Sequence, residues 1–142
     1  MTLKARTPLI RLLIAAAAFT AGVGLTSSAE VQLKLTGAEE TPPVSTSATG
    51  VGTITIAADK SVSGSVKTTG IDGTMAHIHV GAPGDAGPPI ITLTKGDNGV
   101  WSVPPGAKLS DEQYASYKSG NLYVNVHSAA HKGGEIRAQL RP

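Results

Sequence analysis

From residue 31 onward the chain alternates apolar and polar residues in short runs separated by glycine and proline, and that alternation confines it to β-structure. Val31-Gln32-Leu33-Lys34-Leu35 sets the pattern. Successive side chains of a strand point to opposite faces, so such a run turns one face inward and one toward water. Residues 52–56 and 62–66 repeat it across the turn-prone Ala57-Ala58-Asp59-Lys60, which predicts a hairpin. Further strands are expected over residues 76–80, 90–94, 100–103, 122–127 and 135–140, with glycine and proline breaking the chain at 81–89 and 104–106. One segment departs from period two. Ser110-Asp111-Glu112-Gln113 has the spacing of a capping box, and Tyr114, Tyr117 and Lys118 follow before Gly120, so residues 111–119 are expected to form a short helix in a connection. Seven or eight short strands with one helical crossover suit an all-β fold, an antiparallel Greek-key β-sandwich. At 142 residues there is room for one compact domain, and with 4% aromatics its core must be built mainly from Val, Ile, Leu and Ala.

The first 29 residues obey different rules. Lys4, Arg6 and Arg11 precede an apolar run, and Ser27 and Ala29 occupy the −3 and −1 positions of a cleavage site, so residues 1–29 read as a signal peptide and 30–142 as the mature domain. Losing those three cations leaves nine Lys and Arg against ten Asp and Glu, turning the formal charge from +2 to −1. The basicity therefore belongs to the leader. No later stretch clusters Lys or Arg, which argues against nucleic acid as a partner and against membrane attachment after cleavage. An export signal on a chain with no cysteine suits a periplasmic or secreted protein stabilised by packing or by a metal.

The mature chain holds four histidines in two tight groups, His77-Ile78-His79 and His127-Ser128-Ala129-Ala130-His131. On a strand, His77 and His79 share a face with Cα atoms roughly 6.5–7 Å apart, near enough for both imidazoles to reach one ion. His127 ends a strand whose opposite face carries Leu122, Val124 and Val126, and His131 lies in a small-residue turn that can fold back toward it. An imidazole set suits Cu(II), Zn(II) or Ni(II), and copper is the expected ion with zinc as the alternative; calcium would need a carboxylate loop that the sequence lacks. Without a thiolate, copper would sit in a nitrogen-ligated, type-2-like site. Each histidine alone is better read as a local hydrogen-bonding residue, but the four together are read as one metal site, His77, His79, His127 and His131. Met75 shares the parity of His77 and could offer a thioether to Cu(I), although a lone strand methionine more often packs in the core. Asn125 is expected to face solvent. Glu135 and Arg137 read equally well as an exposed ion pair or as outer-shell support, and residues 39–43 as an exposed turn.

Across residues 31–140 the sequence resembles the CHRD (chordin) domain. The likeness is carried by Leu35-Thr36-Gly37-Ala38-Glu39-Glu40-Thr41-Pro42-Pro43-Val44, by Ala76-His77-Ile78-His79-Val80-Gly81 with Gly87-Pro88, by Leu122-Tyr123-Val124-Asn125-Val126-His127, and by His131 through Leu140. The resemblance implies a domain of exported bacterial proteins and of the extracellular protein chordin, and implies no particular activity. A weaker likeness to the copper,zinc superoxide dismutases rests on an HxH pair in a Greek-key sandwich of immunoglobulin-like type. It departs from them in lacking a cysteine pair and an evident zinc subsite, and in its HxxxH spacing.

Three roles follow as expectations. The first is an exported copper-binding protein that buffers or delivers the ion or moves electrons. The second is a dismutase-like enzyme at the same metal, with Arg137 as the motif-borne cation to steer an anion. The third is a non-catalytic extracellular module. An exposed edge strand or a shared metal leaves a homodimer open.

Overall fold

A computed structural model of the chain describes residues 28–142. Apart from Ser28 and Ala29, the expected signal peptide lies outside the described residues. Nine strands form one sheet: β1 (Ser28–Thr36), β2 (Thr49–Ala57), β3 (Val62–Thr69), β4 (Gly73–Val80), β5 (Pro89–Thr92), β6 (Thr94–Lys95), β7 (Val100–Ser102), β8 (Leu122–Ser128) and β9 (Ile136–Leu140). Their order is β5-β4-β8-β9-β1-β2-β3-β7-β6, and every pairing between them is antiparallel. The first and last strands are neighbours, in register at Thr36 and Arg137.

The expected hairpin is β2–β3, with Lys60 at φ 72° in its turn. The expected helix is α1 (Asp111–Lys118). Its capping box is complete: Ser110 Oγ accepts from the Gln113 N–H at 3.2 Å, and Gln113 Oε1 accepts from the Ser110 N–H at 2.9 Å. Among the described residues no helix is long and apolar enough to cross a membrane.

Residues 90–94, expected as one strand, are divided. β5 pairs with β4 at one edge of the sheet, and β6 pairs with β7 at the other. Leu93 alone separates them, its N–H donating to the Ala76 carbonyl at 2.9 Å. Lys95 Nζ donates to the Gly73 carbonyl at 2.6 Å. This strap draws the two edges together, so the sheet is nearly closed on itself, an all-β sandwich or barrel. Closure shields edges that would otherwise offer unpaired backbone groups. Inside it lie the inward residues of every long strand, including Leu35, Ile54, Ile78, Leu122, Val124, Val126, Ile136 and Leu140, with Trp101 at one end.

β8 is exceptional because all seven of its residues are buried. Antiparallel strands commonly leave one face to water. Here loops cover the outward face, and the candidate site lies beneath them.

The strap predicts a contrast in stability. Leu93 is 3% exposed and Val51 59% exposed. Leu93→Ala should lower the unfolding free energy by about 2–5 kcal/mol, and Val51→Ala by less than about 1 kcal/mol, both read by urea denaturation. Equal losses would show that the strap lies outside the cooperative core.

Candidate metal centre

Strand register assembles the site on the outward face of β4, β8 and β9. Met75 lies opposite His127, His77 opposite Asn125, and His79 opposite Tyr123. On the far side of β8, Asn125 pairs with Arg137 and Tyr123 with Gln139. Directly opposed residues of an antiparallel pair project from the same face, so these side chains form one continuous patch.

Three of the four sequence-selected histidines converge within it. One ring nitrogen from each of His77, His79 and His127 lies within 4.8 Å of the other two. His77 Nδ1 is 3.0 Å from His127 Nε2. Two imidazoles bound to one ion at about 2.0–2.1 Å each would place their nitrogens roughly 3 Å apart, so this pair already has the separation of two ligands. His131 stands outside the group. Its backbone N–H donates to Ser128 Oγ at 3.2 Å.

Backbone carbonyls set the tautomers of two rings. His79 Nδ1 is 2.8 Å from the Gly87 oxygen and His127 Nδ1 is 2.8 Å from the Lys132 oxygen. A carbonyl can only accept, so each Nδ1 carries the hydrogen and each Nε2 keeps its lone pair, which on His127 faces the His77 Nδ1. Fixing a ring through its other nitrogen is how proteins orient metal-binding histidines. His79 Nε2 is buried with no hydrogen-bond partner, and so is Asn125 Oδ1 on the residue beside it. Two acceptors left without a donor in a dry site cost free energy that a cation or a donor group removes.

Burial and the neighbouring His127 and His79 push His77 below the ordinary histidine range. Burial lowers His79 as well, with the Gly87 carbonyl acting against it. Both effects favour the neutral imidazole, the form that binds metal.

The His79 ring is held by loop 81–89, which is itself clamped from β9. Arg137 donates to the Asp85 carbonyl at 2.8 Å, the Ala82 carbonyl at 3.0 Å, Gln139 Oε1 at 3.1 Å and Thr41 Oγ1 at 3.4 Å. Gln139 Nε2 donates to the Gly81 and Gly120 carbonyls at 2.7 and 2.8 Å. Tyr123 stands between the clamp and the site. His79 stacks on its ring at 4.8 Å and 6°, and the Arg137 guanidinium lies 3.5 Å from the ring centroid. Gly87 is where the loop passes closest to β4, since a Cβ there would collide with the Val80 carbonyl.

Several sequence expectations are corrected here. Asn125 is 1% exposed rather than solvent-facing. Glu135 and Arg137 are both buried and make no ion pair with each other. Glu135 instead accepts from Thr46 Oγ1 at 2.7 Å. Burial alone would raise its pKa, but hydrogen bonds from Ser128 and Thr46 and the nearby His131 hold it below the usual range. Met75, expected in the core, is 51% exposed on the face of the histidines.

Glu40, read within an exposed turn, is also buried. Its carboxyl and the Asn125 amide pack against Gly134, which has φ 128° and no room for a Cβ. Burial raises the Glu40 pKa to about 7, against the opposing pull of Arg137 and Asn125.

The class defined so far is an all-β domain with a histidine cluster under polar loops on one face of its sheet. The CHRD domain family model matches residues 31–140, and the chain belongs to the CHRD family. That match bears on the domain and not on the dismutase likeness. No curated protein and no solved structure matches the chain.

Glu40 makes stability depend on pH with a definite sign. Below pH 4.5 the carboxyl is protonated in the folded and unfolded states alike and contributes nothing. Between 4.5 and about 7 the folded state retains a proton that the unfolded chain has released, so stability falls as pH rises. The difference reaches about 3 kcal/mol above pH 7. Glu40→Gln cannot ionise, so the stability of the variant minus that of the wild type should rise by about that amount between pH 4 and pH 8. Denaturant titrations at both values measure it, and a constant difference would show that the carboxyl is not desolvated.

Proposed function

We propose that this is an exported copper-binding protein whose ion is held by His77, His79 and His127, with zinc as the alternative ion. The observation that carries the reading is the state of the lone pairs. Backbone hydrogen bonds turn the Nε2 lone pairs of His79 and His127 into the cluster, where the His127 nitrogen meets the His77 ring and the His79 nitrogen is buried without a partner beside an equally unpartnered Asn125 oxygen. A purely structural histidine would be expected to satisfy both nitrogens. Imidazole donors without thiolate suit Cu(II) in a type-2 site and also suit zinc. The leader-like character of residues 1–29, ahead of the domain, supports export.

Binding, buffering or delivery is favoured over dismutase-like turnover by the placement of Arg137. The cation that would have to steer an anion is 2% exposed and directed at loop carbonyls. A non-catalytic module that uses the histidines structurally is the outcome if no metal binds.

Metal content by mass spectrometry, followed by Cu(II) electron paramagnetic resonance, tests the reading. The expected result is one equivalent of copper with a nitrogen-rich type-2 spectrum, lost in His79→Ala and His127→Ala and retained in His131→Ala. Because protons compete for the same lone pairs, retention should persist through pH 6.5, where depressed pKa values keep His77 and His79 neutral, and fail at lower pH. A chain that takes up neither copper nor zinc overturns the proposal.

A further inference from the structure

We infer that Met75 is the thioether ligand of a reduced-copper state of this site, so that Cu(I) is bound by His77, His79 or His127 together with the Met75 sulfur. The inference rests on the metal-site reading above and specifies which oxidation state the site is built to accept.

The first observation is a bulge. In the β4–β8 register, Gly73 pairs with Ser128 and Met75 with the adjacent His127, so Thr74 is an extra residue on β4. Gly73 faces inward, where a Cβ would meet the Trp101 ring and Val126. Strict alternation from Gly73 would turn Met75 into the core with it. Alternation from Met75 through His77 to His79 is uninterrupted, so the three share the outward face, and the extra residue is what lets this face begin at Met75 although Gly73, two positions earlier, points inward. Bulges recur next to functional sites, and this one marks the start of the strand face that carries Met75 and the two histidines.

The second observation is exposure. Met75 and Val51 are the exposed large hydrophobic residues among those described, and Met75 is 51% exposed. Leaving that much apolar surface in water is unfavourable. Val51 stands on β2, away from the site, whereas Met75 lies directly opposite one of the three clustered histidines and two residues before another. Opposed Cβ atoms stand about 4.5–5.5 Å apart, and an unbranched side chain with three rotatable bonds can bring its sulfur over either neighbouring ring. The chemistry then selects the ion. A thioether is a soft donor that favours Cu(I), while imidazole serves Cu(I), Cu(II) and Zn(II). His79 and His127 lie on the buried side of the cluster, with the half-exposed His77 and Met75 toward water. A soft ligand on the wet side is placed to meet Cu(I) as it arrives or leaves.

The sequence makes the test unambiguous. The chain has no cysteine and two methionines, Met1 in the leader and Met75. Any sulfur bound to copper in the domain from residue 30 onward therefore belongs to Met75.

The measurements are anaerobic Cu(I) affinity by competition with a chromogenic chelator, Zn(II) and Cu(II) affinity by direct titration, and X-ray absorption of the Cu(I) protein. Each is made on the wild type, Met75→Leu and His79→Ala. Leucine keeps the apolar bulk, and retained Zn(II) binding shows that the variant is folded. The expected result is a sulfur neighbour of Cu(I) that vanishes in Met75→Leu, with Cu(I) affinity reduced about tenfold or more and Zn(II) and Cu(II) affinity changed less than about twofold. Unchanged Cu(I) affinity in Met75→Leu with no copper–sulfur signal overturns the inference, and the histidine reading then stands if His79→Ala still abolishes Zn(II) and Cu(II) binding. Failure of the wild type to bind any of the three ions overturns both.

Discussion

The candidate site depends on one buried guanidinium. Arg137 has given up water for two loop carbonyls, a side-chain amide, a hydroxyl and the face of Tyr123. An isolated charge would be costly there, and only a complete set of acceptors makes it tolerable. Its planar fork can engage several acceptors at once, which the single ammonium of lysine would do less well. The nearest acid, Glu40, has its own pKa raised by burial, so carbonyl dipoles supply much of the compensation. Because the carbonyls belong to residues 82 and 85, satisfying the cation fixes the loop, and the loop in turn presents the Gly87 oxygen to His79. The orientation of a candidate ligand thus follows from a charge on a strand two places away in the sheet.

The same arrangement explains why β8 has two buried faces. Its inward face, Leu122, Val124 and Val126, joins the apolar interior, where packing alone is required. Its outward face, Tyr123, Asn125 and His127, is enclosed by polar segments and must satisfy hydrogen bonds as well as volume. The requirement is met for Tyr123 by Gly87 and for His127 by Lys132. It is left unmet at His79 Nε2 and Asn125 Oδ1. Unpaired groups in an otherwise satisfied network are where function is to be sought.

The sequence displayed the inward half of this design and concealed the outward half. Period-two alternation located the β2–β3 hairpin and β8, and the capping box located α1, because each is a local rule. Parity alone put His77 and His79 on one face. Burial of Asn125, Arg137 and Glu40 was not legible, because a polar residue at alternate strand positions has the same pattern whether water or a folded-back loop covers it. One signal was available. The polar face of β1 carries Glu30, Gln32 and Lys34, as a solvated face should, while that of β8 carries Tyr123, Asn125 and His127 and no formal charge. The division of residues 90–94 and the bulge at Thr74 were also hidden, since both arise from how distant strands meet. HxxxH suggested that His131 joins His127, but the turn, closed by the His131 backbone N–H on Ser128 Oγ, leaves its imidazole outside the cluster of His77, His79 and His127.

The cluster is graded from a fixed side to a free one. His79 and His127 are each tied to a backbone carbonyl and buried, so little rotamer entropy remains for an ion to remove. His77 has no carbonyl partner among the described residues, is half-exposed, and contacts the cluster through the His127 nitrogen. Under the proposed reading, two preset donors would supply orientation and a third that can rotate would supply access, since an ion shedding its hydration water needs at least one ligand able to meet it partway. A site rigid on every side would exchange slowly, and one loose on every side would hold its ion weakly. The asymmetry follows directly from topology: β4 is bordered at His79 by the clamped loop, whereas His77 lies one register step nearer the bulge and the solvent.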